Sequence, residues 1–139
     1  MYTIDASVFV TATEAHEIDF AVSRQLLGVR YRRRIPLIVP TLVIVEVAGT
    51  ISRLRGAAHA HRIVQVLYRM RPQLVPLDES LAQIGSGLAG DYWLRGADAV
   101  YAAVAQVYQT ILVSHDREHL NRLSGIIPVQ HPAHTLALL

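Results

Sequence analysis

Residues 2–10 of this 139-residue chain read Tyr2-Thr3-Ile4-Asp5-Ala6-Ser7-Val8-Phe9-Val10. The residues up to Asp5 predict a short strand, because β-branched and aromatic side chains favour strands, and the apolar spacing over residues 7–13 predicts a helix. Asp5 therefore closes a strand directly before a helix. In a parallel α/β sheet the carboxyl ends of the strands share one edge, and ligands bind at that edge.

The same alternation of short apolar strands and longer amphipathic helices continues along the chain. Further strands are predicted at residues 36–39, 74–77, 110–113 and 127–130. Further helices are predicted at residues 17–33, 41–55, 57–71, 79–91, 97–108 and 116–122. The pattern and the chain length predict one α/β domain over residues 1–139, with a mostly parallel sheet.

Residues 41–47 are the ambiguous segment. They are dense in β-branched residues and by propensity favour a strand. Pro40 and Thr41 before the segment, and Ala48 and Gly49 after it, permit a helix instead. The residues alone leave both structures open.

The composition excludes several kinds of site. The chain has no cysteine, so any metal must bind oxygen or imidazole, and no disulfide or thiol nucleophile is available. No secretory signal is visible at the amino end, and no apolar run reaches the roughly 20 residues of a membrane span. We therefore expect a cytoplasmic protein. The hydrophobic content of 52% also predicts a homodimer that covers apolar surface.

Charge is distributed unevenly, although the formal net charge is only +2. All 13 basic residues are arginine, and ten of them lie between Arg24 and Arg71 with Glu46 as the one acid among them. A positive segment beside an acidic site suits a nuclease, because cations hold phosphates while carboxylates hold metal. We accordingly predict RNA contacts at Arg32, Arg33 and Arg34. The alternative is that these arginines complement the dipole at a helix end.

Three aspartates occupy positions where a functional site is expected. Asp5 closes the first strand, Asp116 follows the predicted strand at 110–113, and Asp98 begins a predicted helix. Each aspartate has a structural alternative, because aspartate is a preferred helix N-cap. The location of Asp5 and Asp116 at the carboxyl ends of strands instead predicts that these two carboxylates share one sheet edge, where ligands bind.

Glu46 is the least easily explained acid. It is flanked by Val45 and Val47 within an apolar segment, and a carboxylate in such surroundings is costly unless it is paired or binds metal. Arg53 or Arg55 could be that partner. If Glu46 instead joins the three aspartates, a hard divalent ion would relieve the repulsion among them, which predicts Mg²⁺, with Mn²⁺ as a substitute.

Four segments resemble the successive motifs of PIN-domain ribonucleases, in order and at the spacing of that family. They are Ile4-Asp5-Ala6-Ser7-Val8-Phe9-Val10, Val45-Glu46-Val47, Leu94-Arg95-Gly96-Ala97-Asp98-Ala99, and Leu112-Val113-Ser114-His115-Asp116. The similarity covers essentially the whole chain. The size of the chain and the third segment are most similar to VapC toxins of toxin–antitoxin pairs.

The resemblance implies a three-layer α/β/α sandwich with Glu46 on a helix. It also implies a Mg²⁺-dependent endoribonuclease that hydrolyses RNA phosphodiester bonds and is neutralised by a partner antitoxin. Its catalytic and metal-binding residues would be Asp5, Glu46, Asp98 and Asp116, and Ser7 and Ser114 would orient these ligands by hydrogen bonds. Two alternatives share the fold: a housekeeping RNA-processing nuclease, and a non-catalytic module that binds RNA or protein.

Three further signals receive structural interpretations. Gly85-Ser86-Gly87-Leu88-Ala89-Gly90 matches a dinucleotide-binding pattern, but it follows a predicted helix rather than a strand, so close helix packing is expected there. His115 and His119 have the i, i+4 spacing of metal ligands. Without an obvious third ligand we expect them at the surface or in contact with phosphate. Glu118 stands where many PIN domains carry a further aspartate.

Overall fold

The computed structural model describes residues 1–139 and contains five strands and eight helices. The strands are β1 (Tyr2–Ile4), β2 (Ile38–Pro40), β3 (Gln73–Val75), β4 (Ile111–Val113) and β5 (Val129–Gln130). The helices are α1 (Ala6–Thr11), α2 (Phe20–Arg32), α3 (Leu42–Arg55), α4 (Ala57–Arg69), α5 (Glu79–Tyr92), α6 (Gly96–Tyr108), α7 (Arg117–Arg122) and α8 (Pro132–Ala137).

All five predicted strands and all seven predicted helices are confirmed, and α8 is the element that the sequence analysis missed. This helix is only six residues long, so it offers little periodicity to detect. Its amino end does carry local signals. Pro132 occupies the first turn, and the side chain of His131 caps the helix by accepting from the backbone N–H of Ala133.

The strands form a parallel sheet around β1. Strands β1, β4 and β5 pair in parallel on one side, and β2 pairs in parallel with β3 on the other. A parallel bridge between Tyr2 and Leu37 joins the two groups, which gives the order β3-β2-β1-β4-β5. The predicted mostly parallel sheet is therefore confirmed, and helices cover it to make a three-layer α/β/α sandwich.

The central helix α6 holds the core together. It contacts β1, β2 and β4 and packs lengthwise against α5. Its residues from Ala99 to Ala105 are all buried, and four of the seven are alanine, which lets the helix approach the sheet closely. Gly85 of α5 faces α6, where a Cβ would lie 3.7 Å from the carbonyl oxygen of Ala99. Gly85 of the glycine-rich segment thus serves close helix packing, as predicted, whereas Gly87 and Gly90 are exposed.

The ambiguous segment at residues 41–47 is helical, because its apolar side chains match a helix face. Val43, Val47 and Ile51 are four residues apart and are fully buried on that face of α3. Burial of these side chains outweighs the modest helix propensity of β-branched residues. None of the helices is both long enough and apolar enough to cross a membrane.

Two glycines provide a test of the backbone geometry. Gly56, between α3 and α4, has φ 89° and ψ 162°, a region that is essentially restricted to glycine. We expect Gly56→Ala to destabilise the fold by about 1–3 kcal/mol. Gly87 is exposed within α5 with open space around it, so Gly87→Ala should stabilise the fold by about 0.5–1 kcal/mol. Urea unfolding measures the free energy of unfolding of both variants. Equal changes at the two positions would contradict the backbone conformations assigned to Gly56 and Gly87.

Candidate functional site

Asp5 and Asp116 lie side by side at the carboxyl edge of the sheet, after the neighbouring strands β1 and β4. Both cap helices, as the structural alternative predicted. Asp5 Oδ1 accepts from the backbone N–H of Ser7 at 2.7 Å, and Asp116 Oδ1 accepts from that of Glu118 at 2.8 Å. Capping uses Oδ1 of each carboxylate and leaves Oδ2 for other partners.

Ser114 links the two aspartates. Its buried hydroxyl donates to Asp5 Oδ2 at 2.7 Å and accepts from the backbone N–H of Asp116 at 3.0 Å. This serine therefore sets the orientation of Asp5 and the path of the chain at Asp116. Threonine carries the same hydroxyl and could form both of these hydrogen bonds.

His119 lies among the carboxylates rather than at the surface, so the prediction of a surface position was wrong. It is 1% exposed. Its Nε2 lies 3.0 Å from Asp98 Oδ2, without the alignment of a hydrogen bond, and its Nδ1 lies 3.6 Å from Asp5 Oδ2. Ligand atoms of Asp98, Asp116 and His119 lie within 4.8 Å of one another.

The carboxylates around His119 favour its protonated form. Burial is the largest single influence and opposes protonation, but Asp98, Asp5 and Asp116 together outweigh it and raise the pKa of His119. His119 is buried because α7 turns this side chain inward. Glu118 on the same helix points outward, and its carboxylate lies 3.4 Å from the guanidinium of Arg122.

Glu46 has a tyrosine as its partner, not an arginine. The hydroxyl of Tyr101, a buried residue of α6, donates to Glu46 Oε2 at 2.9 Å. Arg55 instead pairs with the buried Glu14 at 2.9 Å. Burial, followed by the charges of Asp5 and Asp98, raises the pKa of Glu46 despite the hydrogen bond from Tyr101. Glu46 is thus a carboxylate near other carboxylates without a compensating cation.

A cavity of about 560 Å³ opens between α1 and α3 at this edge. Asp5, Ser7, Glu46 and Arg53 are among its lining residues. The hydroxyl of Ser7 is buried and has no hydrogen-bond partner. Oxygen donors, unrelieved negative charge and an unpaired hydroxyl are the surroundings that a hard, hydrated cation such as Mg²⁺ fits. Arg53, predicted from the sequence as a possible partner for Glu46 and as one of the arginines of the positive segment, lines this cavity.

The arginines predicted to contact RNA lie elsewhere. Arg32, Arg33 and Arg34 end α2 and lead to Pro36, whose carbonyl accepts from the backbone N–H of Tyr2 at the amino end of β1. They are therefore at the sheet edge opposite the carboxylates. Arg33 also donates to the carbonyl of Leu139.

The chain was compared with family models, curated proteins and solved structures. The family model described as "PIN domain" matches residues 2–126. No curated protein matches the sequence.

Similar solved structures include VapBC2 from Rickettsia felis bound to a promoter DNA fragment, with 11% identity, a TM-score of 0.72, and coverage of 94% of this chain and 97% of that chain. VapC20 from Mycobacterium tuberculosis, described as a sarcin-ricin loop cleaving toxin, has 11% identity, a TM-score of 0.75, and coverage of 91% and 96%. PAE2754 from Pyrobaculum aerophilum has 22% identity, a TM-score of 0.70, and coverage of 99% and 87%.

The raised pKa of Glu46 makes a prediction about stability. In metal-free solution the folded protein holds this proton more tightly than the unfolded chain. Stability should therefore fall as pH rises from the ordinary Glu value of 4.5 through the folded-state pKa. Glu46→Gln should remove this loss and leave the variant at least as stable as the wild type at neutral pH.

The measurement is the free energy of unfolding in urea at acidic and neutral pH, with EDTA present. Glu118→Gln is the matched control, because Glu118 is exposed and already has a cation beside it. A Glu46→Gln variant that is less stable than the wild type at neutral pH would show that the carboxylate is stabilising, contrary to the assignment.

Proposed function

The chain belongs to the PIN-domain family, and we propose that it is a divalent-metal-dependent endoribonuclease acting as the toxin of a toxin–antitoxin pair. The observation that carries the proposal is the carboxylate cluster of Asp5, Glu46, Asp98 and Asp116, of which Asp5 and Glu46 line the cavity. A cluster with a raised Glu46 pKa is destabilising by itself, which is typical of a functional rather than a structural site.

We propose that these four carboxylates hold Mg²⁺, directly or through water, with Mn²⁺ as a substitute. When bound, such an ion would neutralise charge on the scissile phosphate and make water a better nucleophile at neutral pH. Like-charge repulsion among the carboxylates would also be relieved, which is why the chain would tolerate them so close together.

The neighbouring side chains orient the carboxylates. Ser114 holds Asp5 by its hydrogen bond, Tyr101 holds Glu46, and His119 lies against Asp98. The unpaired hydroxyl of Ser7 is available to a water or a phosphate oxygen in the cavity. Positioning of this kind lets the site keep one geometry while the substrate binds.

The relatives suggest the partner and the cellular role. Solved neighbours include VapBC and FitAB assemblies bound to DNA, and one is described as a toxin–antitoxin complex. We propose that an antitoxin segment docks in an apolar groove of about 510 Å³ formed by α1, α2 and α4. Val66 and Tyr31 leave 47% and 55% of their surfaces exposed there, and Arg24 and Arg69 at the groove suit an acidic amphipathic segment.

We also propose that the protein acts in the cytoplasm, where RNA is available, and forms a homodimer. The support for a dimer is the exposure of large apolar side chains, including Trp93 at 80% and Val45 at 69%. Light scattering at micromolar concentration measures the assembly, and a strictly monomeric protein would contradict the dimer.

Cleavage of total cellular RNA tests the activity. The wild type should cleave with Mg²⁺ or Mn²⁺ and lose activity in EDTA. Asp98→Asn should lose more than about 100-fold, beyond what losing an outer hydrogen-bond partner costs. Glu118→Gln should retain activity, because this residue pairs with Arg122 outside the cluster. Metal-independent cleavage, or full activity of Asp98→Asn, would contradict the four-carboxylate site.

RNA binding can be mapped by salt dependence in an Asp98→Asn background. The slope in question is that of the logarithm of the RNA-binding constant against the logarithm of the salt concentration. For a short single-stranded RNA, Arg53→Ala should flatten this slope by about 0.7, the value for one phosphate contact. The double variant Arg32→Ala, Arg33→Ala should leave the slope for the short RNA unchanged, because these arginines are at the opposite sheet edge. For a long RNA that reaches that edge, the double variant should flatten the slope by about 1.4, the value for two phosphate contacts. If the double variant changes neither slope, these arginines have a structural role at the end of α2.

Docking can be tested by co-expression with the product of the gene directly upstream, if it encodes a small DNA-binding protein. Val66→Asp should weaken the complex, because it places a charge in the apolar groove. Val107→Asp is the matched control, since Val107 is 49% exposed on α6, away from that groove. Equal loss in both variants, or in neither, would argue against the groove. An upstream gene of another kind would favour the housekeeping alternative.

A further inference from the structure

A second group of potential metal ligands lies at the same sheet edge, separate from the four carboxylates. Asp19 directly precedes α2, His115 is in the turn after β4, and His131 directly follows β5. His115 Nδ1 lies 3.5 Å from Asp19 Oδ2 and 3.2 Å from His131 Nε2, and His131 Nε2 lies 3.8 Å from Asp19 Oδ2. Three segments that are distant in sequence thus converge on one point.

The two distances from His115 Nδ1 are close to those around a tetrahedral ion, and the 3.8 Å between His131 Nε2 and Asp19 Oδ2 is somewhat longer. Zinc bonds of about 2.0–2.1 Å at tetrahedral angles place neighbouring ligand atoms roughly 3.3–3.5 Å apart. Two imidazoles and one carboxylate are donors that zinc and similar transition metals prefer, whereas Mg²⁺ prefers oxygen alone. The side chains of His115, Asp19 and His131 are 15%, 41% and 32% exposed, so an ion and one water can reach them.

The ring of His115 is already set for binding. Its Nε2 lies 2.7 Å from the hydroxyl of Ser23, which is fully buried. With the ring proton on Nε2 and donated to Ser23, the Nδ1 lone pair faces Asp19 and His131.

The ring nitrogens of His131 have hydrogen-bond partners within the protein even without an ion. Its Nδ1 accepts from the backbone N–H of Ala133 at 3.2 Å, so its proton is on Nε2 and faces His115 Nδ1. Binding an ion at Nε2 would move that proton to Nδ1. The capping bond to Ala133 would then be lost, which couples metal binding to the amino end of α8.

We propose that Asp19, His115 and His131 bind one Zn²⁺-class transition-metal ion, with water as the fourth ligand. The ion ties the segment before α2 to the turns after β4 and β5. The turn after β4 continues directly into Asp116, so the ion restrains the neighbouring carboxylate site as well. This site does not depend on the proposed ribonuclease activity.

Spectroscopy of the Co²⁺-loaded full-length protein in excess Mg²⁺ tests the site. One equivalent of Co²⁺ should give the strong visible absorption of a tetrahedral ion, and Zn²⁺ should displace it and raise the Tm. Asp19→Ala and His131→Ala should each weaken Zn²⁺ binding by more than about 10-fold in calorimetry. Asp19 makes no capping hydrogen bond to α2, so Asp19→Ala is expected to fold, which circular dichroism checks.

Two controls separate this site from surface histidines and from the carboxylate cluster. His16→Ala removes a side chain that is 66% exposed, and Asp98→Asn alters the cluster; both should keep the Co²⁺ spectrum and the Zn²⁺ affinity. Absence of a tetrahedral spectrum in the wild type would overturn the proposal. So would a spectrum that survives Asp19→Ala and His131→Ala, or one that disappears in Asp98→Asn.

Discussion

The backbone N–H of Asp5 donates to the carbonyl of Val113 at 3.0 Å, which extends the parallel pairing of β1 with β4 by one residue. This pairing brings the ends of two strands together that lie more than 100 residues apart in sequence. Asp5 and Ser114 meet there, and α7 begins beside them. The carboxylate cluster and the neighbouring histidine cluster both depend on this junction, because Asp5, His115 and Asp116 directly follow these two strands.

The junction concentrates negative charge, and the surrounding side chains offset it by different means. Asp5 is held by hydrogen bonds from the backbone N–H of Ser7 and the hydroxyl of Ser114. His119 lies between Asp5 and Asp98, whose charges outweigh the effect of burial and raise its pKa. Glu46 has only the hydroxyl of Tyr101, so part of the repulsion remains. A site of this kind sacrifices stability to keep carboxylates available for a ligand.

The positive charge of the chain is divided between structural and exposed roles. Arg30 is buried and donates to the carbonyls of Ile35 and Met70, and it thereby joins the ends of α2 and α4. Burial lowers its pKa. Arg55, at the end of α3, donates to the buried Glu14 and thereby holds the loop after α1 against that helix. Only Arg53 combines a positive charge with a place in the carboxylate-lined cavity.

The sequence by itself determined the order and type of all strands and seven helices, because periodicity and strand-end aspartates are local signals. It also singled out Asp5, Glu46, Asp98 and Asp116, because a family motif is read along the chain. Only the tertiary structure decided the partners of these residues: His119 beside Asp98, Tyr101 on Glu46, and the convergence of Asp19 with two histidines. Such contacts join segments that are far apart in sequence, and their geometry depends on strand order and helix rotation, which no local pattern specifies.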